Sequence, residues 1–208
     1  MLSRDFYNRA TLKVARDLIG KVLVHDTRAG LASGIIVEAE AYIGESDKAC
    51  HAAPGPTARN APLYGPPGMA YVYLNYGIHY LVNAVTEAEG WPAAVLIRAL
   101  EPRDGIELMR RRRAAGSTRR VRELAVNDLC RGPGNLTKAL GIHLRQNLKD
   151  LTSSELRIED HGLPKPSVAW SRRIGINVAV EQEWRVYALD SDAVSGSRRQ
   201  ASMANAQC

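Results

Sequence analysis

Residues 35–42, IIVEAEAY, carry two carboxylates, Glu38 and Glu40, and then an aromatic hydroxyl, Tyr42, at steps of two. On a strand successive side chains alternate between faces, so Glu38, Glu40 and Tyr42 share one face while Val37, Ala39 and Ala41 share the other. If the small apolar face packs inward, the glutamates point outward or into a cleft. A carboxylate in a cleft can take a proton from water and act as a general base. Most glutamates on strands are simply solvated, so residue type alone does not make Glu40 catalytic.

His51 sits beside Cys50 and raises the question of a metal. Zinc sites need three or four ligands at recognisable spacings, and the chain has no Cys-x-x-Cys and no His-x-x-x-His. The zinc deaminase pattern, His-x-Glu followed by Pro-Cys-x-x-Cys, is missing too. The sequence therefore argues for chemistry without a metal. The three cysteines, Cys50, Cys130 and Cys208, are odd in number and far apart, which implies reduced thiols, with Cys130 read as a core residue.

Five of the eight tyrosines fall between Tyr64 and Tyr80. In YVYLNYGIHYLVN, Tyr71 and Tyr73 share a strand face, and Tyr76 stands in a turn before Gly77. Tyrosine suits a wet pocket, having a flat apolar ring and a hydroxyl that tolerates water. An aromatic at an exposed tip either folds back on its own hairpin or contacts a partner, and wedging between base pairs is one such use.

These residues need a frame. Apolar spacing predicts a helix over 11–19 that stops at Gly20, then strands over 21–26 and 32–43. A long Pro/Gly-rich loop, 44–68, is suspect as functional. A hairpin follows (70–74, a turn at 75–77, then 78–86), and another strand covers 94–100. Asp104 is placed to cap a helix reaching about 115, with further helical stretches at 119–129 and 135–140. Strand character returns at 156–159 and 185–189. The expectation is an α+β fold: one mixed domain over 1–190, with flanking helices, a protruding β-hairpin and a disordered tail over 191–208.

At 208 residues the chain can bury a full core. No apolar run is long enough to span a bilayer and the first residues lack a signal-peptide core, so no membrane association and a cytoplasmic address are expected. The net charge of +6 favours a polyanionic partner, though weakly. Arg110–Arg113, followed by Arg119, Arg120 and Arg122, form a basic cluster. Four consecutive helical residues spread around the whole circumference, so a solvated helix end accounts for them as well as a phosphate site does.

The strings VEAEAYIGESDKACHA, ARNAPLYGPPGMAYVYLNYGIHYLVNAV, AVLIRALEP and LCRGPGNLTKALGI occur in this order. Together they resemble the alkyladenine (3-methyladenine) DNA glycosylase family over residues 5–187. The resemblance thins past Ile176, where EQEWRVYAL is shorter than the family pattern. It implies a curved antiparallel sheet and an enzyme needing no metal or cofactor. It also implies double-stranded DNA containing damaged purines as partner, acted on by a monomer.

By resemblance, Glu40 is the general base, and Tyr42, His51 and Tyr73 line the pocket for the flipped base. Asn83 disfavours the exocyclic amino group of guanine, and Tyr76 fills the gap left by the extruded nucleotide. Arg98 contacts the DNA backbone and helps hold the attacking water. Arg59, with Asn60, and Arg131, with Gly132 and Pro133, match motifs with DNA-binding or fold roles. The implied activity is a monofunctional glycosylase of base excision repair acting on 3-methyladenine, hypoxanthine or ethenoadenine. The alternatives are a non-catalytic sensor of distorted DNA, using the arginine cluster without Glu40, and a hydrolase of free nucleosides.

Overall fold

One fourteen-residue strand, β2 (Gly30–Ile43), is the spine of the molecule. The computed structural model describes residues 1–115 and 124–196. Along one edge β2 pairs with β5 (Ala93–Asp104). Along the other it pairs first with β1 (Val22–Thr27), through Ile35, and then with β8 (Arg185–Ala188), from Glu38 to Glu40. Beyond β5 lie β4 (His79–Val85) and β3 (Ala70–Asn75); beyond β1 lies β6 (Leu156–Glu159), and β8 carries β7 (Val168–Ser171). Every pairing is antiparallel, and the sheet curls into a half-barrel.

The change of partner along β2 is what positions the chemistry. Where the edge passes from β1 to β8, the pairing with β5 also shifts register, between Ile36 and Glu38 and again between Glu38 and Ala39. A bulge of this kind increases twist and re-aims side chains. Glu38 and, on β5, Arg98 fall at this irregularity, and Glu40 follows two residues on.

Helices close the core from outside the sheet. In α2 (Thr11–Leu18), Val14, Ala15 and Leu18 face inward at helical spacing and pack on β2 and β5. Helix α4 (Pro133–Leu140) starts with Pro133 where a missing N–H costs nothing, and ends on Gly141 in the left-handed region. It buries Leu136, Ala139 and Leu140 against β4 and β5. A four-residue helix, α1 (Arg4–Tyr7), carries the buried Tyr7.

Several expectations change. Asp104 does not cap a helix: it ends β5, where its carboxylate accepts from Ser33 Oγ at 2.5 Å, because the long β2 extends the pairing to that point. Helix α3 (Ile106–Ala114) follows from Gly105, where a Cβ would lie 2.2 Å from the Leu31 carbonyl. Of the helical stretch at 119–129, only a short turn at Val126–Asp128 is described; 119–123, with Arg119, Arg120 and Arg122, lie outside the described residues. Strand β7 was not anticipated; Val168–Ser171 is too short to show alternation. A tail beginning at 191 is also corrected. Ser191, Ala193 and Ser195 are buried in the domain, while 197–208 lie outside the described residues.

Three arginines of the run, Arg110, Arg112 and Arg113, bond within the fold, while Arg111 is exposed. Arg112 donates to the Leu140 carbonyl at 2.7 Å, at the negative end of α4, and Arg113 donates to Asn135. Arg110 reaches the Leu124 carbonyl.

The loop 44–68 is held from inside. Asn60, almost wholly buried, donates to the carbonyls of His51 (2.8 Å) and Gly55 (2.9 Å) and accepts from the Thr57 N–H (2.6 Å). Cys50, Ala52 and Leu63 from this loop form a second small core with Tyr71, Val85 and Ala94.

Candidate active site

A cavity of about 550 Å³ opens where β2, β3, β4 and β5 meet the loop 44–68 and residues 174–178. That volume lies within the range of small-ligand pockets. Tyr42, His51, Tyr73, Asn83 and Arg98 line it, with Tyr76 at its mouth. Five dispersed sequence positions thus meet in one place.

Glu40 lies directly behind this wall. Its side chain is wholly buried, as is that of Glu38, so neither glutamate is solvated. Glu40 Oε1 accepts the Ile174 N–H at 2.7 Å. Oε2 accepts the Tyr42 hydroxyl at 2.9 Å and lies 3.2 Å from Arg98 Nη1. All three partners line the cavity. A carboxylate offers about four lone-pair positions, so about one remains open to a further donor.

Glu38, two residues back, is the more heavily bonded carboxylate. Arg98 Nε donates to it at 2.8 Å and Arg185 Nε at 2.7 Å. Ser195 adds its N–H to Oε2 at 2.6 Å and its hydroxyl to Oε1 at 2.9 Å. Burial pushes the Glu38 carboxyl upward, but the Arg98 and Arg185 charges outweigh it and hold the group below the usual carboxylate range. Burial likewise disfavours the Arg98 cation, and Glu40 and Glu38 more than restore it.

The aromatic wall is packed and neutral. His51 stands 4.5 Å from Tyr73, centroid to centroid, at 62°. Its Nδ1 is 2.8 Å from the Tyr71 hydroxyl. Burial, aided by the Arg59 charge, lowers the His51 pKa and favours the uncharged ring. Burial pushes the Tyr71 phenol up to about 12, and raises Tyr42 and Tyr73 as well. Asn83 donates to the Tyr71 carbonyl at 3.0 Å across the β3–β4 pair, which fixes its amide at the cavity. The Arg173 guanidinium lies 4.7 Å over the Tyr42 ring and grips Asp47.

Tyr76 is 87% exposed at the hairpin tip. Its φ of 48°, with 70° at Gly77, puts both central residues of the Asn75–Ile78 turn in the left-handed region, within a three-residue connection between β3 and β4. A bulky residue there is strained, and such strain gathers at functional positions.

Arg59 is exposed in the loop 44–68, outside the cavity wall. Arg131 lies in the fold's own network, 2.8 Å from Asp128 and donating to the Asp192 carbonyl. Sequence reasoning missed Glu38 as a partner of Arg98, and it missed Asp47, Arg173, Arg185 and Ser195 altogether. Their pairings span 126 to 157 residues of sequence, and nothing local signals them.

A family model described as methylpurine-DNA glycosylase matches residues 5–192. A relative from Methanocella arvoryzae is 48% identical over 94% of this chain and 96% of its own. Another from Desulfitobacterium hafniense is 45% identical over 93% of this chain and 98% of its own. A third, from Chlorobium phaeobacteroides, is 46% identical over 95% and 96%. All three carry the provisional name 3-methyladenine DNA glycosylase. With a match over nearly the whole chain, the protein belongs to the methylpurine-DNA glycosylase family and is a DNA glycosylase, a hydrolase of N-glycosyl bonds.

Proposed function

We propose that the protein excises an alkylated or deaminated purine, of the 3-methyladenine, hypoxanthine and ethenoadenine class, from double-stranded DNA. In this reading water deprotonated by Glu40 displaces the base and leaves an abasic site. The observation that carries it is the buried Glu40 carboxylate, whose three partners, Tyr42, Ile174 and Arg98, all line a cavity of about 550 Å³.

A base within the stack is out of reach, so extrusion comes first, at a cost of a few kcal/mol. Tyr76 enters the vacated space, and stacking on an aromatic is worth about 1–3 kcal/mol. The flipped purine lies among Tyr42, His51 and Tyr73. Electron-rich rings attract the cation that N-alkylation creates, which suits the substrate in the relatives' name. The neutral His51 adds no repulsion to such a cation. Asn83 stands where it can disfavour the amino group of guanine.

As the glycosidic bond breaks, the sugar develops oxocarbenium character. Glu40 stabilises that charge and takes the proton of the attacking water. Arg98, almost wholly buried, holds the carboxylate from the cavity side and helps place the attacking water. Arg59 and Arg131 extend the DNA contact.

The test is a duplex with one central hypoxanthine, incubated with enzyme and then divided with and without alkali. Strand cleavage only after alkali is expected. Cleavage without alkali contradicts displacement by water alone. No cleavage on hypoxanthine, ethenoadenine or methylated duplexes contradicts the activity and returns the non-catalytic sensor.

A further inference from the structure

Arg98 serves two buried carboxylates unequally. Its Nε is committed to Glu38 at 2.8 Å, and only Nη1 reaches Glu40, at the longer distance of 3.2 Å. A free guanidinium prefers to grip one carboxylate with two parallel bonds. Such a grip on Glu40 would occupy its one open acceptor position and withdraw its electron density. Glu38 holds Nε, and Ser195 Oγ, 3.4 Å from Nη2, occupies the nitrogen that would complete such a grip beside Nη1.

Glu38 is itself aimed from the C-terminal side of the domain. Ser195 donates its N–H to Oε2 (2.6 Å) and its hydroxyl to Oε1 (2.9 Å), so the plane of the carboxylate is set by one residue. The Ser195 carbonyl accepts from Arg185 Nη2 at 2.9 Å, and its Oγ lies 3.4 Å from Arg98 Nη2. Every polar atom of this serine is engaged in the network behind the base. The segment is anchored at its other end, where Arg131 donates to the Asp192 carbonyl. Next to Ser195, Gly196 has a φ of +79° and a Cβ position 2.9 Å from Ile174 Cδ1, and the Ile174 N–H bonds to Glu40. The segment therefore closes on both arms of the Glu40 environment.

We propose that Ser195 is a positioning residue for the glycosylase reaction: by orienting Glu38 it keeps Arg98 off a two-pronged grip on Glu40 and leaves the base free to accept a proton. This inference rests on the assignment of Glu40 as base. It gives Ser195 a role in the chemical step that does not extend to DNA binding, since Ser195 lies behind Glu38 and Arg98 and is not part of the cavity wall.

The test compares wild type, Ser195→Ala, Ser195→Thr and Glu40→Gln in the full chain. It uses a hypoxanthine duplex and records single-turnover excision at saturating enzyme, equilibrium affinity for the same duplex, and thermal melting. Hydrogen bonds to charged groups are strong enough that Ser195→Ala is expected to slow excision about ten- to a hundred-fold. Affinity should stay within about two-fold, and Ser195→Thr, which keeps both donors, should recover most of the rate. Wild-type excision by Ser195→Ala overturns the proposal. So does a parallel fall of affinity, rate and melting temperature, which marks a packing role, and so does failure of threonine to rescue. If Glu40→Gln is inactive while Ser195→Ala is fully active, positioning alone fails. If Glu40→Gln is as active as wild type, or wild type releases no base, the base assignment fails and the proposal falls with it.

Discussion

Arg173 grips Asp47 with two hydrogen bonds, of 2.6 and 2.9 Å, and both side chains are fully buried. The pair ties the loop 44–68, which carries His51, to the segment that supplies the Ile174 N–H to Glu40. The same guanidinium donates to the Ala41 carbonyl at 3.0 Å and backs the Tyr42 ring.

Breaking this pair strands a buried charge, which typically costs 3–5 kcal/mol. Asp47→Asn and Arg173→Ala are each expected to lower unfolding free energy by about that range. Chemical denaturation checks this, and the double variant should cost clearly less than the sum of the singles. Additive losses would show that the two residues act independently.

At the hairpin tip, stability and function should pull apart. Tyr76 is strained and exposed, so Tyr76→Gly should leave the melting temperature unchanged or raise it. Loss of a stacking aromatic should weaken affinity for a lesion duplex by about ten-fold, about 1.4 kcal/mol. Melting curves and fluorescence anisotropy together decide it, and unchanged affinity removes Tyr76 from the DNA contact.

Arg112 tests the arginine cluster. It caps the carboxyl end of α4 through the carbonyls of Leu140 and Ala139. Arg112→Ala should cost about 1–2 kcal/mol of stability and change lesion-duplex affinity by less than about two-fold. A large loss of affinity at constant stability would instead make the cluster a phosphate site.

His25 should make the fold acid-sensitive. Burial lowers its pKa from the ordinary 6.5, its Nδ1 is 2.9 Å from the Leu140 carbonyl, and its buried Nε2 has no hydrogen-bond partner among the described residues. A depressed histidine pKa means that the unfolded chain takes up the proton first as pH falls. Stability is therefore lost from about 6.5 downward, until the folded group also protonates. His51, lowered in the same direction, adds to the effect. His25→Asn keeps a donor near the Nδ1 position without a titrating group. It should flatten part of the decline in melting temperature between about pH 7 and pH 5, and an unchanged decline would assign it elsewhere.

What the sequence revealed follows the range of the forces involved. Alternation along 37–42 placed Glu38, Glu40 and Tyr42 on one face, and local turn chemistry placed Tyr76 at an exposed tip; both are properties of neighbouring residues. Burial of the glutamates was illegible, because it depends on arginines 60 and 147 residues away and on Ser195, 157 away. Asp104 has a good capping side chain, yet strand pairing with Ser33 claimed it. The composition of 191–196 suggested a tail, and its burial and its hydrogen bonds to Glu38, Arg185 and Arg131 show otherwise.

The most direct measurement is single-turnover excision by Glu40→Gln on a hypoxanthine duplex, with affinity for that duplex measured in parallel. Glutamine keeps the size and the acceptor oxygen but cannot take a proton from water. Lesion affinity close to wild type, with excision reduced by at least about a hundred-fold, is the predicted result. Excision at the wild-type rate would contradict it and remove Glu40 from the chemistry.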